Sequence, residues 1–189
     1  MSEKEFFRTR LYFTGIATLA IGALLTWNYF NGGVPSHHVL ADESLPLISN
    51  WWGALVIPAL TWFLTHRIQK RVYRSRNLEK GKQLKQALFG FVAALVFGAL
   101  LAAFFTLGLS DLPGYMLLGV LLAALFLPIY RAECLLGFVF GMTYTFGAVL
   151  PTLVGSILAL IGAAIYLLIR PGIIFLGSKA MRSISKERK

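Results

Sequence analysis

From Leu135 to Ile169 the chain runs 35 residues without one charged side chain. Wound as a single helix at about 1.5 Å per residue, that stretch would reach some 50 Å, well beyond a hydrocarbon core of about 30 Å. It therefore reads as two crossings, with the turn between Gly147 and Thr152 where Pro151 stands. The rest of the chain has the same character: 57% of the 189 residues are hydrophobic and 14% charged, where an average soluble domain is about a quarter charged. A soluble globule does not fit.

The predicted fold class is all-α, a polytopic membrane helical bundle of six transmembrane helices forming a single membrane domain over 1–189. Spans are expected near 11–30, 51–66, 87–108, 115–130, 134–149 and 152–169, with an outward loop 31–50 and a basic inward loop 67–86. The first apolar run is longer than a signal-peptide core and lacks a small-residue cleavage site, so it is read as a retained span.

Charge placement sets the orientation. Of 18 Lys and Arg, three precede the first span, eight lie between His66 and Gln86, one is Arg131 and six follow from Arg170. The positive-inside rule then puts both termini in the cytoplasm and turns 31–50, 109–114 and the Pro151 turn outward. The net charge of +10 is accordingly a topology signal, and no nucleic-acid partner is expected. Arg67, Lys70, Arg71 and Arg74 share a helical face, which makes anionic lipid headgroups the expected partner at the cytoplasmic side. In the tail 171–189, Ile173, Leu176, Ala180 and Ile184 alternate with Lys179, Arg182 and Lys186, the pattern of an amphipathic surface helix. A compact chain of this kind points to the bacterial cytoplasmic (inner) membrane.

The first and third spans share Gly-Ala-Leu-Leu, at Gly22–Leu25 and Gly98–Leu101, and the same alignment pairs Phe13 with Phe89 and Ala17 with Ala93. Two readings stand: a duplicated helical hairpin, or the easy matching of segments built from Ala, Leu, Gly and Phe.

The outward loop is the richest polar cluster. If Ser36 caps a short helix, His38 and Asp42 fall four residues apart on one face, beside His37 and Glu43. These four residues could brace a packed loop, recognise a substrate as a lid, or ligate a divalent metal. Trp51 and Trp52 follow as aromatic anchors at the outward boundary, and Trp27 and Tyr29 mark the end of the first span.

At the opposite boundary Arg131 and Glu133 are expected to pair with each other or with a partner element. Gly137 and Gly141 form a Gly-x-x-x-Gly spacing for close helix packing, and with Asn28 and Tyr144 they border the expected cavity. Pro58 and Pro128 are expected to interrupt the second and fourth helices. The single Cys134 excludes an intrachain disulfide, and no phosphate-binding loop, Cys-x-x-Cys pair or serine-nucleophile motif is present. His66 belongs to the opposite side from His37 and His38, so a three-histidine site is not expected.

The leading functional expectation is an integral membrane protein that binds or transports a small hydrophobic or amphiphilic molecule, with no cofactor. One alternative is a metal-dependent hydrolase using His37, His38, Asp42 and Glu43 at the outward surface. Another is a non-catalytic accessory subunit whose fifth span contacts a second copy or another membrane protein.

Overall fold

The computed structural model describes residues 2–38, 44, 46–74, 79–109 and 111–175. Among these residues it is all-α, with six helices: α1 (Glu3–Phe30), α2 (Gly53–Arg74), α3 (Lys80–Thr106), α4 (Asp111–Ala123), α5 (Ala132–Phe146) and α6 (Val149–Ala164). A short hairpin, β1 (Ser36–His38) with β2 (Leu47–Ser49), joins α1 to α2. Among the described residues three helices are long and apolar enough to cross a membrane: α1, α3 and the continuous helix Val149–Phe175 that extends α6.

Local chemistry explains most boundaries. Ser2 and Glu5 form a capping box, the Glu5 amide donating to Ser2 Oγ at 3.2 Å and the Ser2 amide to the Glu5 carboxylate at 2.7 Å. This cap draws the polar N-terminus into α1, eight residues before the expected span at Leu11. Gly32 and Gly33 end α1 at φ +109° and +98°, values that L side chains rarely adopt. The chain then pairs antiparallel, Ser36 with Ser49, His37 with Ile48 and His38 with Leu47. That is a correction to the helix expected from Ser36: Pro35 favours extended backbone, and the ladder to β2 satisfies the amides that a helix would have used.

Three further corrections concern lengths. α3 begins at Lys80, seven residues before the expected span, and with α2 running on to Arg74 as its basic helical face predicts, the loop 67–86 is largely helical among the described residues. α4 stops at Ala123, leaving Pro128 in the connection 124–131 rather than inside a helix; Pro58 does lie inside α2. The last helix does not break at Arg170-Pro171. A π-helical turn at Ile165–Ile169 precedes the proline and widens the coil where the Pro171 ring would meet the carbonyl four residues earlier. The tail beyond Phe175 lies outside the described residues.

Helix α5 is the axis of the bundle. Leu136 and Val139 are fully buried, and Val139 packs with Ala17, Ile21 and Leu25 of α1, Ile57 of α2, and Ala148. On its other side Phe138 and Met142 pack with Leu101 of α3, flanked by Met116 of α4 and Val154 of α6. A third cluster, Phe6, Ile68, Val72 and Ala87, ties α1, α2 and α3 at one end. The long helices meanwhile keep large apolar side chains facing out, such as Leu19, Leu88 and Leu160.

The charge segregation read from the sequence is realised in space. Ser2 meets Tyr73, Arg71 meets Glu133, Lys80 lies over the Tyr73 ring and Tyr130 packs on Tyr166. These contacts gather the N-termini of α1, α3 and α5 with the C-termini of α2 and α6 at one basic end. The opposite end holds the hairpin, where His37 lies against Phe146 and Phe146 against Phe105, and it carries no Lys or Arg among the described residues.

The two Gly-Ala-Leu-Leu segments are not structurally equivalent. Leu25 and Leu101 are both buried, but Gly22 is open while Gly98 is packed, and Ala17 is buried while Ala93 is exposed. The shared letters serve different faces.

Candidate functional site

The hairpin does not assemble the expected polar cluster among the described residues. His37 is half-buried, its ring 6.3 Å from that of Phe146, with Nε2 buried and without a hydrogen-bond partner. Successive strand residues face opposite sides, so His37 and His38 diverge rather than converge. Asp42 and Glu43 lie outside the described residues. No group of three or more His, Cys, Asp or Glu side chains converges on a metal position among the described residues. Trp51 and Trp52 are exposed at the hairpin end, Trp51 packing on Tyr29 at 6.3 Å. Asn28 acts through its backbone: its carbonyl accepts from the Gly33 amide at 2.9 Å and closes the turn after α1. Beside this, Asn50 is buried against Gly147, whose φ of +69° and missing side chain make room for the Asn50 carboxamide.

Gly137 and Gly141 perform the packing role assigned to them. A Cβ at Gly137 would run into the Phe91 carbonyl and one at Gly141 into the Leu95 carbonyl, while a Cβ at Gly98 would lie 2.6 Å from the Phe138 carbonyl. α3 and α5 thus touch backbone to backbone through three glycines. Because α3 fills this surface, it is not open to another protein. Tyr144 is 78% exposed and takes no part in the contact.

A half-open cavity of about 1100 Å³ lies at the basic end, remote from the hairpin, between α3, α4, α5 and α6. Its walls are apolar: Phe89, Ala93 and Phe97 descend one face of α3, with Val120 of α4, Phe138 of α5 and Leu158 of α6 opposite. Lys82, Lys85 and Arg131 line the same cavity at its basic end, joined by Gln86 and Tyr166. From Gly81 to Phe97 the lining spans seventeen residues of α3, sixteen steps of 1.5 Å or about 24 Å. The π-helical turn carries Tyr166, whose ring lies 5.7 Å from that of Tyr130, tilted by 50°, and 4.6 Å under the Arg170 guanidinium.

Glu133, the acid in this wall, is paired with Arg71 of α2 and not with Arg131. Arg71 Nη1 and Nη2 donate to the two carboxylate oxygens at 3.0 and 2.8 Å, a bidentate pair whose acid is 2% exposed. Arg131 instead begins α5, its carbonyl accepting from the Cys134 amide at 2.9 Å. The Cys134 thiol also faces the cavity, close to Gly90 of α3.

A second buried charge was hidden in what the sequence presents as a basic tail. Arg10 is buried between α1 and α2, its guanidinium 3.6 Å above the Trp62 ring. Nη1 contacts His66 Nδ1 at 3.1 Å and donates to Gln69 Oε1 at 3.3 Å, while Nε has no partner. The signal was present as Trp62, His66 and Gln69 at helical spacing, aligned with the buried Thr61, Thr65 and Gln69 stripe of α2. The cavity had a signal as well: Lys82, Lys85, Phe89, Ala93 and Phe97 follow one helical face whose polarity falls steadily along α3.

Comparison with protein families, curated proteins and solved structures finds no match for the chain.

Proposed function

We propose that this chain is an integral membrane protein, with six helices in the bilayer and both termini cytoplasmic, that binds and moves a small amphiphilic molecule held in the basic-end cavity. The bacterial cytoplasmic membrane is its proposed location. The observation that carries this reading is the cavity itself: about 1100 Å³, apolar along its walls and cationic at one end. Pockets for drug-sized ligands run from about 300 to 1,000 Å³, so this volume suits a molecule with a long apolar body. α4 and α5, with 13 and 15 residues, extend about 20 and 23 Å, short of a bilayer core of about 30 Å. In this reading α5 is the inner element of the bundle, while α4, none of whose residues is buried, sits at its edge beside α3 and meets the lipid with the longer helices. The hairpin closes the outward end, and the cavity opens toward the cytoplasmic leaflet.

Native mass spectrometry of the protein released from neutral micelles tests the reading. A lipid-sized adduct at one per chain is expected, and Ala93→Trp should remove it, because Ala93 is an exposed wall residue whose enlargement fills the cavity without entering the core. An adduct retained equally by the wild type and Ala93→Trp would refute cavity binding.

A further inference from the structure

We propose that the cavity selects an amphiphile with an anionic phosphate-type headgroup, held by Lys82, Lys85 and Arg131, with its chain lying along α3. This deepens the cavity-binding reading and rests on it. The argument is one of charge complementarity. The three cations line the same end of the cavity and have no acidic partner among the described residues. The acid in the cavity lining, Glu133, is already neutralised from behind by the bidentate Arg71, so an incoming anion does not meet an uncompensated carboxylate there. α5 begins at this end with no side-chain cap, so the positive pole of its helix dipole adds to the same field. Gln86 and the Tyr166 hydroxyl supply neutral hydrogen-bonding groups beside the cations.

Below Lys82 and Lys85 the lining is apolar apart from the paired Glu133 and the Cys134 thiol, both beside Gly90. Along α3 the lining passes from Lys82 and Lys85 to Phe89, Ala93 and Phe97, and across the gap stand Leu127, Leu158 and Ala159. A free inorganic anion would use the rim and leave this wall uncovered. A chain attached to the anion covers it, and burying apolar surface is worth roughly 25 cal/mol per Å². Head and chain therefore belong to one ligand, oriented with the head at the basic end.

The experiment offers the protein in neutral micelles an equimolar mixture of lysophosphatidic acid and lysophosphatidylcholine carrying the same acyl chain, and counts bound species by native mass spectrometry. A preference for the anionic lipid of at least about tenfold is expected from three cations acting on one head. Lys82→Gln/Lys85→Gln/Arg131→Gln should reduce that preference to about twofold or less, while Arg67→Gln/Lys70→Gln, on the exposed face of α2, should leave it intact. Cys134 alkylation should slow when lysophosphatidic acid is bound in either the wild type or the α2 variant, a readout independent of ionisation in the spectrometer. Equal retention of the two lipids would overturn the headgroup assignment and leave the cavity reading standing. Retention of neither would overturn both. Protection of Cys134 by inorganic phosphate alone, at the same concentration and to the same degree, would overturn the inclusion of the chain. Loss of preference in the α2 variant would assign it to surface lipid and overturn the assignment to the cavity.

Discussion

Two glycines in identical Gly-Ala-Leu-Leu contexts should respond oppositely to the same substitution. At Gly98 an added Cβ would lie 2.6 Å from the Phe138 carbonyl and 3.4 Å from Met142 Cγ, where ordinary contact begins near 3.4 Å. The obstacle is backbone of α5, so no rotamer change relieves it and the helices must separate by up to 0.8 Å, the difference between those distances. Overpacking of this kind costs about 1–3 kcal/mol, partly offset by the helix propensity of Ala over Gly, about 0.8–1 kcal/mol. The net expectation for Gly98→Ala is a loss of up to about 2 kcal/mol. At Gly22 nothing lies within 4 Å of an added Cβ. Gly22→Ala should therefore be neutral or stabilising by up to about 1 kcal/mol. The assay is unfolding by sodium dodecyl sulfate in mixed micelles, followed through tryptophan fluorescence. Equal shifts at the two positions, or a stabilising Gly98→Ala, would refute the backbone contact between α3 and α5.

Gly141→Ala should cost more than Gly98→Ala in the same assay, because its Cβ would meet the Leu95 carbonyl and also the Ala99 amide at 2.7 Å. Arg71→Ala should destabilise by about 3–5 kcal/mol by stranding the 2%-exposed Glu133 carboxylate, and Glu133→Ala by about 1–2 kcal/mol, since the 28%-exposed Arg71 can turn to water; unfolding of both singles and the double variant measures the asymmetry. Arg10→Met should cost about 1–3 kcal/mol and change the emission of Trp62, whose ring it covers at 3.6 Å, and identical spectra before and after substitution would remove that contact. Tyr73, whose hydroxyl donates to the Ser2 carbonyl at 2.7 Å, ionises above its ordinary value of 10.0, chiefly through burial and then through Glu3 and Glu5. Since the folded state holds this proton more tightly, its contribution is full below that value and is lost as pH rises through the elevated one; ultraviolet phenolate titration with Tyr73→Phe as reference reports it.

The apolar runs located six helices because the run lengths and the Lys/Arg blocks are properties of single segments. What the runs did not locate were the helix ends. Amide capping by Ser2 and Glu5, and the ability of Arg71 and Lys82 to sit on helix while facing water or a partner, carry helices past the last apolar residue. The hairpin was missed for a different reason: Ser36-His37-His38 has no strong preference of its own, and its extended form follows from pairing with Leu47–Ser49, a contact nine residues or more distant. Glu133 was legible as a costly acid near a span, whereas its partner Arg71 stands 62 positions away and looks like any member of a basic face. The glycine spacing at Gly137 and Gly141 was legible as close packing, since few other roles suit small residues four apart, but which helix approaches is a tertiary fact.

The cavity follows from one short helix. α3 has 27 residues and Val149–Phe175 another 27, whereas α4, which lies beside both, has 13. α4 starts at the hairpin end and finishes near mid-bundle, so the basic-end halves of α3 and the last helix lose their common neighbour. The connection that follows does not fill the gap. It turns against the last helix, Ile129 lying within 2.7 Å of a Cβ built at Gly162, and so lines the void rather than occupying it. Apolar walls facing such a space forgo the dispersion contacts that close-packed interiors make, and they recover them only when something of matching chemistry enters. A cavity formed by helix length is present in the folded chain without any segment having to move. In the proposed reading, selection then falls to the groups at its open end, Lys82, Lys85 and Arg131, which would discriminate by the charge of the headgroup rather than by the shape of the chain.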